Sequence, residues 1–523
     1  MTDMTEYRAA ALDDLAQNDP TEVELGETKV LLVRQGDDVH AMAATCPHKG
    51  VPLKNGAIDG DRIVCPAHRA SFGLATGELI APPACEALAT YPVRIDDGEI
   101  FVTVAEGVEP HPLPEHARRG DDDRKFVIIG SGAAGWRAAE TLRREGFEGS
   151  IIVVTDEGGS PFDRTGFSKA YIGSEDTPDA PLVRKPSNIG DFDIEIRQGK
   201  AIALDPRDRA VTLEGQSEVL RYDKLLVATG SGAREAGLPG GDLEGIHRIR
   251  TKTDADTLRD DIAARKDGGT CRVAIVGGGF IGLEAATFLG RRDGVEVTMI
   301  IREHVPLASK FGAAFGTRIL SEQKEAGVTM LTGATVERFR GETRVSGVEL
   351  ENGEVVDCDI AIVAIGADPR TEWLPFTKDD DGGISVEPTL SVPDHPDVFL
   401  AGDIACVPTA WGPKRIEHWR FAQELGELAA RNMLGQGGRY EGTPFFWTMQ
   451  QAKGSYTYTG NASDWDRIDG TPDGGKFALS FVKDGEVPAV LALGFDDRVT
   501  LMERKMAGTG PVPEADAVAY GPD

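Results

Sequence analysis

Apolar and polar positions change their period twice along the chain. Residues 23–35 and 98–104 carry β-branched and apolar runs broken by Gly and Asp, which predicts short strands of a small all-β unit. From residue 126 the pattern becomes strand, Gly-rich turn and helix, and it returns at 272–292. Strands that alternate with helices predict a parallel sheet covered on both faces. Near the end, FALSFVKDGEVPAVLALGF predicts two strands around an Asp-Gly turn.

A chain of 523 residues is too long for one domain. The pattern predicts a multidomain protein, in which a small all-β domain precedes two Rossmann-like α/β dinucleotide-binding domains and a C-terminal α+β domain. The predicted boundaries are 1–105 for the all-β domain, 106–125 for a charged, proline-containing linker, 126–245 and 371–438 for the first dinucleotide domain, 246–370 for the second, and 439–523 for the C-terminal domain.

The net charge of −30 argues against a nucleic-acid partner, because phosphates would be repelled. It leaves open a well-solvated surface or an acidic face that steers a basic protein. No apolar run has the length of a membrane span, and the N-terminus lacks a signal-peptide core. Six cysteines are too few for a disulfide scaffold, so we expect the protein in a reducing cytoplasm. We also expect either a monomer or a homodimer.

Two short motifs carry metal-ligand residues. Cys46-Pro-His48 is followed by Cys65-Pro-Ala-His68, which gives the pattern C-x-H…C-x-x-H. Two thiolates suit one ferric iron, and two neutral imidazoles on a second iron raise its potential, as in a Rieske 2Fe–2S cluster. Zinc also uses two Cys and two His, but zinc fingers pair like ligands within one loop, whereas each loop here offers one of each.

The prolines after both cysteines and the segment HRASF resemble the Rieske pattern. High-potential Rieske proteins carry two further cysteines in these loops, joined by a disulfide. Val51 and Ala67 stand at those positions, so the domain resembles the ferredoxin type, which normally has the lower potential. Cys85 lies outside the motif and is expected to be structural.

Gly130, Gly132 and Gly135 form a G-x-G-x-x-G motif between an apolar strand and a helix. The first glycine permits a tight turn, the second lets a pyrophosphate approach, and the third allows the helix to pack on the strand. The next strand ends in Asp156-Glu157, where a carboxylate would accept a ribose hydroxyl. Glu157 is the predicted ligand.

A second copy, Gly277, Gly279 and Gly282, follows 147 residues later (277 − 130). Two such sites predict two dinucleotides, and FAD with NAD(P)H is the natural pair because hydride passes between their rings. An NADH enzyme usually ends the strand after this motif in an acidic residue, whereas here Ile301 or Arg302 is expected near the ribose, with Glu303 following. Arg302 could pair with a 2′-phosphate or be a solvated arginine, which leaves NADPH only slightly preferred over NADH.

Together these motifs resemble the ferredoxin-reductase and apoptosis-inducing-factor-like branch of the pyridine nucleotide-disulfide oxidoreductases, in its Rieske-bearing subgroup. The resemblance implies that Arg164 and Lys169 contact FAD, with Lys169 near the redox-active ring. Glu284 is implied to lie by the nicotinamide and to pair with Lys169. The remaining cofactor-binding residues that the motifs indicate are Ala134, Thr229, Gly230, Ile281, Gly366, Asp403 at the ribitol chain and Trp447 beside the flavin, with Trp419 as a second candidate wall.

The disulfide-reducing branch carries C-x₄-C beside its flavin, but no cysteine lies between Cys85 and Cys271 here. The predicted route is therefore NAD(P)H to FAD to the 2Fe–2S cluster, and then to a ferredoxin, an oxygenase component or a small-molecule acceptor. A redox-sensing interaction protein with little turnover is the alternative. A Rieske oxygenase would need a mononuclear iron site, for which the sequence supplies no convincing ligand set.

Overall fold

The computed structural model describes residues 4–176, 178–184, 189–266, 269–451, 454–494 and 496–517, without the side chains of 450, 451, 454 and 496–498. The chain forms two units whose segments interleave along the sequence. The first unit comprises Met1–Ala117, Arg143–Phe147 and Phe495–Lys505, and the remainder forms the second unit.

The first unit consists of short antiparallel sheets. In order across each sheet, the strands are Met4–Ala11, Glu99–Ala105 and Val93–Asp96; Thr21–Leu25, Thr28–Gln35 and Asp38–Ala43; and Ala57–Asp59, Arg62–Val64, Ser71–Gly73 and Leu79–Ala81. The run 23–35 forms short strands, as predicted, because Gly26 takes a positive φ of 62° and reverses the chain between Thr21–Leu25 and Thr28–Gln35. The all-β prediction is confirmed for this part of the chain.

The core of the first unit reaches the predicted metal ligands. Leu31, Met42 and Phe72 are fully buried in one apolar cluster that also contains Cys46 and Cys65. A buried thiol in such a cluster is shielded from water, so charge on its sulfur depends on nearby donors.

The segment predicted as a linker begins by packing on the first unit. The carbonyl oxygens of Pro110 and Pro112 accept hydrogen bonds from the amides of Ala89 (3.0 Å) and Ala87 (2.9 Å). His111 Nε2 lies 2.8 Å from the carbonyl oxygen of Thr45, directly before the first metal-ligand motif. Residues 106–117 thus belong to the first unit.

Two parallel sheets with helical connections dominate the second unit. The first sheet has the order Glu195–Gln198, Ser150–Thr155, Lys125–Ile129, Lys224–Val227, His395–Leu400 and Ser391–Val392, in which only the last strand is antiparallel to its neighbour. The second has the order Ile246–His247, Ile360–Val363, Cys271–Val276, Val295–Ile301 and Thr329–Thr332, all parallel. These are the two α/β folds that the strand–turn–helix pattern predicts.

Smaller sheets complete the two α/β folds. Their strands are Ala201–Asp205, Ala210–Leu213 and Leu220–Arg221; Val336–Gly341, Val345–Leu350 and Val355–Asp357; Ser231–Ala233 and Ala367–Pro369; and Ile384–Ser385, Ala405–Thr409 and Gly412–Lys414. The α-helices of the described residues are Ala133–Arg144, Ala170–Gly173, Lys252–Lys266, Phe280–Leu289, Ala308–Phe311, Ala313–Glu325, Trp419–Met433 and Asp496–Met506. Among them, none is both long and apolar enough to cross a membrane.

The C-terminal sheet is antiparallel and contains the predicted hairpin. Its order is Phe445–Gln451, Gly454–Gly460, Glu486–Leu493, Phe477–Lys483 and Arg467–Asp469, and Val512–Pro513 pairs with Glu486–Leu493. Asp484 and Gly485 join the hairpin with positive φ angles of 51° and 78°. That turn geometry matches the right-handed twist of the strands and explains the Asp-Gly pair.

Candidate redox centres

Each metal-ligand motif of the first unit forms a tight turn closed by its own backbone. The amide of Gly50 donates to the carbonyl oxygen of Cys46 (2.9 Å), and the amide of Arg69 donates to that of Cys65 (3.1 Å). The second turn joins two paired strands, Arg62–Val64 and Ser71–Gly73, and is therefore a hairpin tip. The sequence-predicted loop positions are present.

The two turns bring like ligands together. His48 Nδ1 and His68 Nδ1 lie 3.1 Å apart, and the two rings are nearly perpendicular. Imidazole nitrogens bound about 2.0–2.1 Å from one tetrahedral ion are separated by about 3.4 Å, so this pair is spaced to share a metal. Both histidines are half-buried, whereas Cys46 and Cys65 are each 1% exposed.

The two thiols also meet, and the loop stabilises negative charge on one of them. A hydrogen bond from the Cys46 thiol, backbone amides of Ala67 and His68, and the charge of Arg69 lower the pKa of Cys65 to about 7 against the effect of burial. The same hydrogen bond raises the pKa of Cys46. None of the six cysteines, all of which lie in the described residues, forms a disulfide.

This arrangement fits a two-iron cluster. No three His, Cys, Asp or Glu side chains within the described ranges surround a single ion position. A Rieske cluster needs two cysteines on one iron and two histidines on the other, so three ligands on one position are not expected. The paired thiols and paired imidazoles match that requirement.

In the first glycine turn (Gly130, Gly132 and Gly135), each position requires glycine for a different structural reason. Gly130 has a positive φ of 108°, and a Cβ there would overlap the carbonyl oxygen of Ala228. A Cβ on Gly135 would overlap the carbonyl oxygen of Gly130. At Gly132 the nearest atom is Arg164 Nε, 4.0 Å away, so this position leaves space above the helix N-terminus for a phosphate group.

The second glycine turn (Gly277, Gly279 and Gly282) repeats this geometry. Gly277 has a φ of 117° and its Cβ would overlap the carbonyl oxygen of Ala364, while a Cβ on Gly282 would overlap that of Gly277. Gly279 again has open space, with the nearest atom 4.0 Å away. The same constraints at equivalent positions indicate two separate pyrophosphate sites.

The strand ends that should meet the ribose groups differ between the two sites. After the first turn, Glu157 pairs with Arg164 at 2.8 Å and Asp156 faces Arg370 at 3.6 Å. After the second turn, Ile301 is 2% exposed and packs under the turn against Gly278. Arg302 is exposed, so of the residues Ile301 and Arg302 only Arg302 can reach a bound nucleotide from solvent.

Lys169 and Glu284 form an ion pair, as the resemblance implies. Lys169 Nζ lies 2.9 Å from Glu284 Oε2, and it also donates to the carbonyl oxygen of Thr165 at 2.6 Å. Ser168 Oγ donates to the same carboxylate oxygen at 2.6 Å. The side chains of Lys169 and Glu284 are 15% and 5% exposed, so the pair is largely removed from water.

The other oxygen of Glu284 is held by the C-terminal sheet. Thr448 Oγ1 and the amide of Met449 each donate to Glu284 Oε1 at 3.0 Å. Glu284 therefore joins the second glycine turn's helix to the strand that carries Trp447. The sequence motifs did not point to Ser168, Thr448 or Met449, whose polar groups act only when the three segments meet.

Trp447 and Trp419 are both buried, at 8% and 9% exposed. Trp447 packs edge-on against His418, with ring centroids 4.6 Å apart, and its amide donates to His418 Nε2 at 3.4 Å. Burial, with the positive charges of Arg420 and Lys169, lowers the pKa of His418 to about 3. His418 is thus a neutral ring next to both predicted tryptophans, and its position before Trp419 is the sequence signal that could have identified it.

Asp403 lies beside the first glycine turn and has a partner that the sequence did not indicate. Gly402, its neighbour, would place a Cβ 3.4 Å from Ala134. Arg250 Nη2 lies 3.0 Å from Asp403 Oδ2, and Arg250 is also close to the position of a Cβ on Gly230 (3.2 Å). No local motif marks Arg250, because its role depends on the approach of two distant segments.

Three buried polar atoms near these residues have no hydrogen-bond partner in the part of the chain that the structure describes: Ser231 Oγ, Arg250 Nε and His418 Nδ1. Buried polar groups normally have partners, so unpaired ones beside an open glycine turn indicate a polar ligand. The set fits a flavin dinucleotide.

The remaining predicted cofactor-binding positions lie in loops and in the first turns of helices. Thr229 Oγ1 donates to the carbonyl oxygen of Arg370 at 2.8 Å, and Gly230 and Gly366 take positive φ angles of 64° and 115°. Ala134 is buried at the start of helix Ala133–Arg144, whereas Ile281, at the start of helix Phe280–Leu289, is 44% exposed. An exposed isoleucine at a helix N-terminus is available to a bound cofactor.

Comparison with known families agrees with this architecture. Residues 124–426, more than half of the chain, match the pyridine nucleotide-disulphide oxidoreductase model. The chain belongs to that family. Residues 5–92 of this oxidoreductase match the Rieske 2Fe–2S domain model, which settles the choice between a Rieske cluster and zinc. The protein is an FAD-dependent NAD(P)H oxidoreductase, and its cofactors are FAD, NAD(P)H and a 2Fe–2S cluster.

Curated relatives and a solved structure resemble long stretches of the chain. The chain is 31% identical to apoptosis-inducing factor 3 of Homo sapiens, over 97% of this chain and 84% of the relative. It is 34% identical to the ferredoxin–NAD(+) reductase component of the biphenyl dioxygenase system of Paraburkholderia xenovorans, over 62% of this chain and 78% of that protein. The crystal structure of a covalent putidaredoxin reductase–putidaredoxin complex matches with a TM-score of 0.68 and 25% identity, covering 76% of this chain and 95% of that chain.

Proposed function

We propose that this oxidoreductase passes electrons from NAD(P)H through FAD to its own Rieske cluster and from there to an external acceptor. The observation that carries the proposal is the presence of both redox folds in one chain whose flavin-binding part has no cysteine between Cys85 and Cys271. A thiol relay is thereby absent, and a one-electron centre is the fitting outlet. When bound, FAD accepts two electrons as hydride and releases them singly, as a 2Fe–2S cluster requires.

The residues of the second unit position the two dinucleotides. The first glycine turn, with Glu157, Arg164, Thr229, Gly230 and Asp403, is proposed to hold FAD; the second, with Ile281, Arg302 and Gly366, is proposed to hold NAD(P)H. Hydride transfer needs no general acid or base, so positioning carries most of the effect. Glu284, in the helix that follows the second glycine turn, holds the Lys169 ammonium in place, and the buried rings of Trp447 and His418 are proposed to exclude water from the flavin.

The residues of the first unit are proposed to hold the cluster and to determine the side from which electrons leave it. Cys46 and Cys65 are proposed to bind the buried iron, and His48 and His68 the other. Because the histidines are half-buried and the cysteines fully buried, the histidine side is the accessible edge of the site. An acceptor protein would approach there. Relatives named as ferredoxin reductases, one of them a component of a dioxygenase system, make a ferredoxin or an oxygenase component the first acceptors to test.

The test is an anaerobic titration of the full chain with NADH and with NADPH, followed by absorbance and electron paramagnetic resonance. We expect flavin bleaching and then a Rieske signal from the reduced cluster. Cys46→Ser should abolish the signal while flavin reduction continues. Cys85→Ser is the matched control, because Cys85 is also buried in the first unit but lies outside the motif.

Two results would contradict the proposal. A Rieske signal unchanged in Cys46→Ser would refute the ligand assignment. A cluster that stays oxidised after the flavin is fully reduced, with negligible reduction of cytochrome c or ferricyanide, would favour the redox-sensing alternative.

A further inference from the structure

Arg69 occupies a position in the second cluster loop that normally suits glycine. It directly follows His68, and its φ is +66°, in the left-handed region that side chains disfavour. Its side chain is only 1% exposed, although arginine is rarely buried without partners. Both the backbone strain and the burial of the charge cost free energy, which suggests that the guanidinium of Arg69 acts on the adjacent metal site.

The C-terminal helix, Asp496–Met506, supplies two partners of that guanidinium. Arg69 Nη1 donates to Thr500 Oγ1, and Arg69 Nε lies 4.0 Å from the carboxylate of Glu503. A second ion pair joins Arg504 of the helix to Asp59 at 2.8 Å. Residues Phe495–Lys505 belong to the same unit as the cluster loops, so a segment 431 residues away in sequence contacts the second loop.

Arg69 lies in the loop that carries two of the four predicted cluster ligands. It directly follows His68, and its amide donates to the carbonyl oxygen of Cys65 at 3.1 Å. Reduction of a 2Fe–2S cluster adds one negative charge to the site that this loop would hold. A fixed positive charge in a region with little water favours that addition.

We propose that Arg69 raises the reduction potential of the Rieske cluster and that the C-terminal helix holds its guanidinium in position. The cluster gains one electron, the reductant loses one, and no bond to Arg69 forms or breaks. The helix is thereby part of the redox centre, although it belongs to the chain's last thirty or so residues and to none of the motifs.

The experiment is a mediated dithionite titration of the cluster-loaded full chain, followed by electron paramagnetic resonance. A neighbouring charge shifts an ionisation equilibrium by about tenfold or more, so Arg69→Gln should disfavour cluster reduction about tenfold, which corresponds to a potential about 59 mV lower. Arg69→Lys keeps the charge and should restore most of the potential. Arg94→Gln is the control, because Arg94 lies in the same unit but is 49% exposed.

Thr500→Val tests the part played by the helix. It keeps the shape of the side chain but removes the acceptor for Arg69, and we expect a lower potential than in the wild type, by less than in Arg69→Gln. An unchanged potential in Arg69→Gln overturns the electrostatic role, and an unchanged potential in Thr500→Val overturns the role of the helix. If Arg69→Gln fails to retain the cluster, Thr500→Val decides the matter alone. The potential is measured without turnover, so the result is independent of the electron route proposed above.

Discussion

Glu284 offers a quantitative test of the site because four donors converge on its buried carboxylate. At the 2.9 Å separation from Lys169, the Coulomb attraction is about 6 kcal/mol for an effective dielectric constant near 20. Desolvation of both groups offsets much of this. Removing one partner of a buried pair nevertheless costs about 3–5 kcal/mol, because the other charge is left without compensation.

We therefore expect Glu284→Ala to lower the free energy of unfolding of the second unit by about 3–5 kcal/mol. Glu284→Gln keeps the shape and the bonds from Thr448 and Met449 but loses those from Lys169 and Ser168, so it should cost about 2–3 kcal/mol. A double-mutant cycle with Lys169→Met isolates the pair, for which we expect a coupling of about 2–3 kcal/mol.

The assay is denaturant unfolding of the FAD-free chain followed by circular dichroism, which separates protein stability from cofactor affinity. Thr317→Val is a suitable control, since its hydroxyl bonds only within its own exposed helix turn. A coupling below about 0.5 kcal/mol would refute the reasoning, because that value is typical of solvent-exposed pairs.

Three further predictions concern the dinucleotide sites. Gly135→Ala should destabilise the fold by about 1–3 kcal/mol because its Cβ would overlap the carbonyl of Gly130, whereas Gly132→Ala should leave stability unchanged and weaken FAD binding; thermal unfolding and flavin titration separate the two. Arg302→Glu should raise KM for NADPH about tenfold or more and leave KM for NADH nearly unchanged in steady-state assays, and an equal effect on both would exclude a 2′-phosphate contact. Between pH 6.5 and about 3, His418 binds a proton in the unfolded state but not in the folded state. The free energy of unfolding should therefore fall by about 2 kcal/mol from pH 6.5 to 5. His418→Gln should remove this pH dependence, which denaturant unfolding at several pH values measures.

The local sequence was sufficient to predict a structural feature wherever the backbone conformation requires one residue type. The glycine turns are of this kind: Gly130 and Gly277 need a positive φ, and Gly135 and Gly282 need the absence of a Cβ. The metal-ligand pairs are also local, since each Cys and His sit on one tight turn. The short strands of residues 23–35 are local as well, because Gly26 breaks the run and its positive φ reverses the chain.

Contacts between distant segments needed the tertiary structure. Arg250 reaches Asp403 across 153 residues, and Arg69 reaches Thr500 across 431, with no periodicity or motif to connect them. Their interactions are set by side-chain reach and burial, which depend on how the elements pack. The sequence by itself thus determined the Rieske domain, the two dinucleotide folds and the cofactors they suit. Only the folded chain decided which buried charges lie beside the predicted cofactor sites, because compensating a buried charge is a property of the assembled interior.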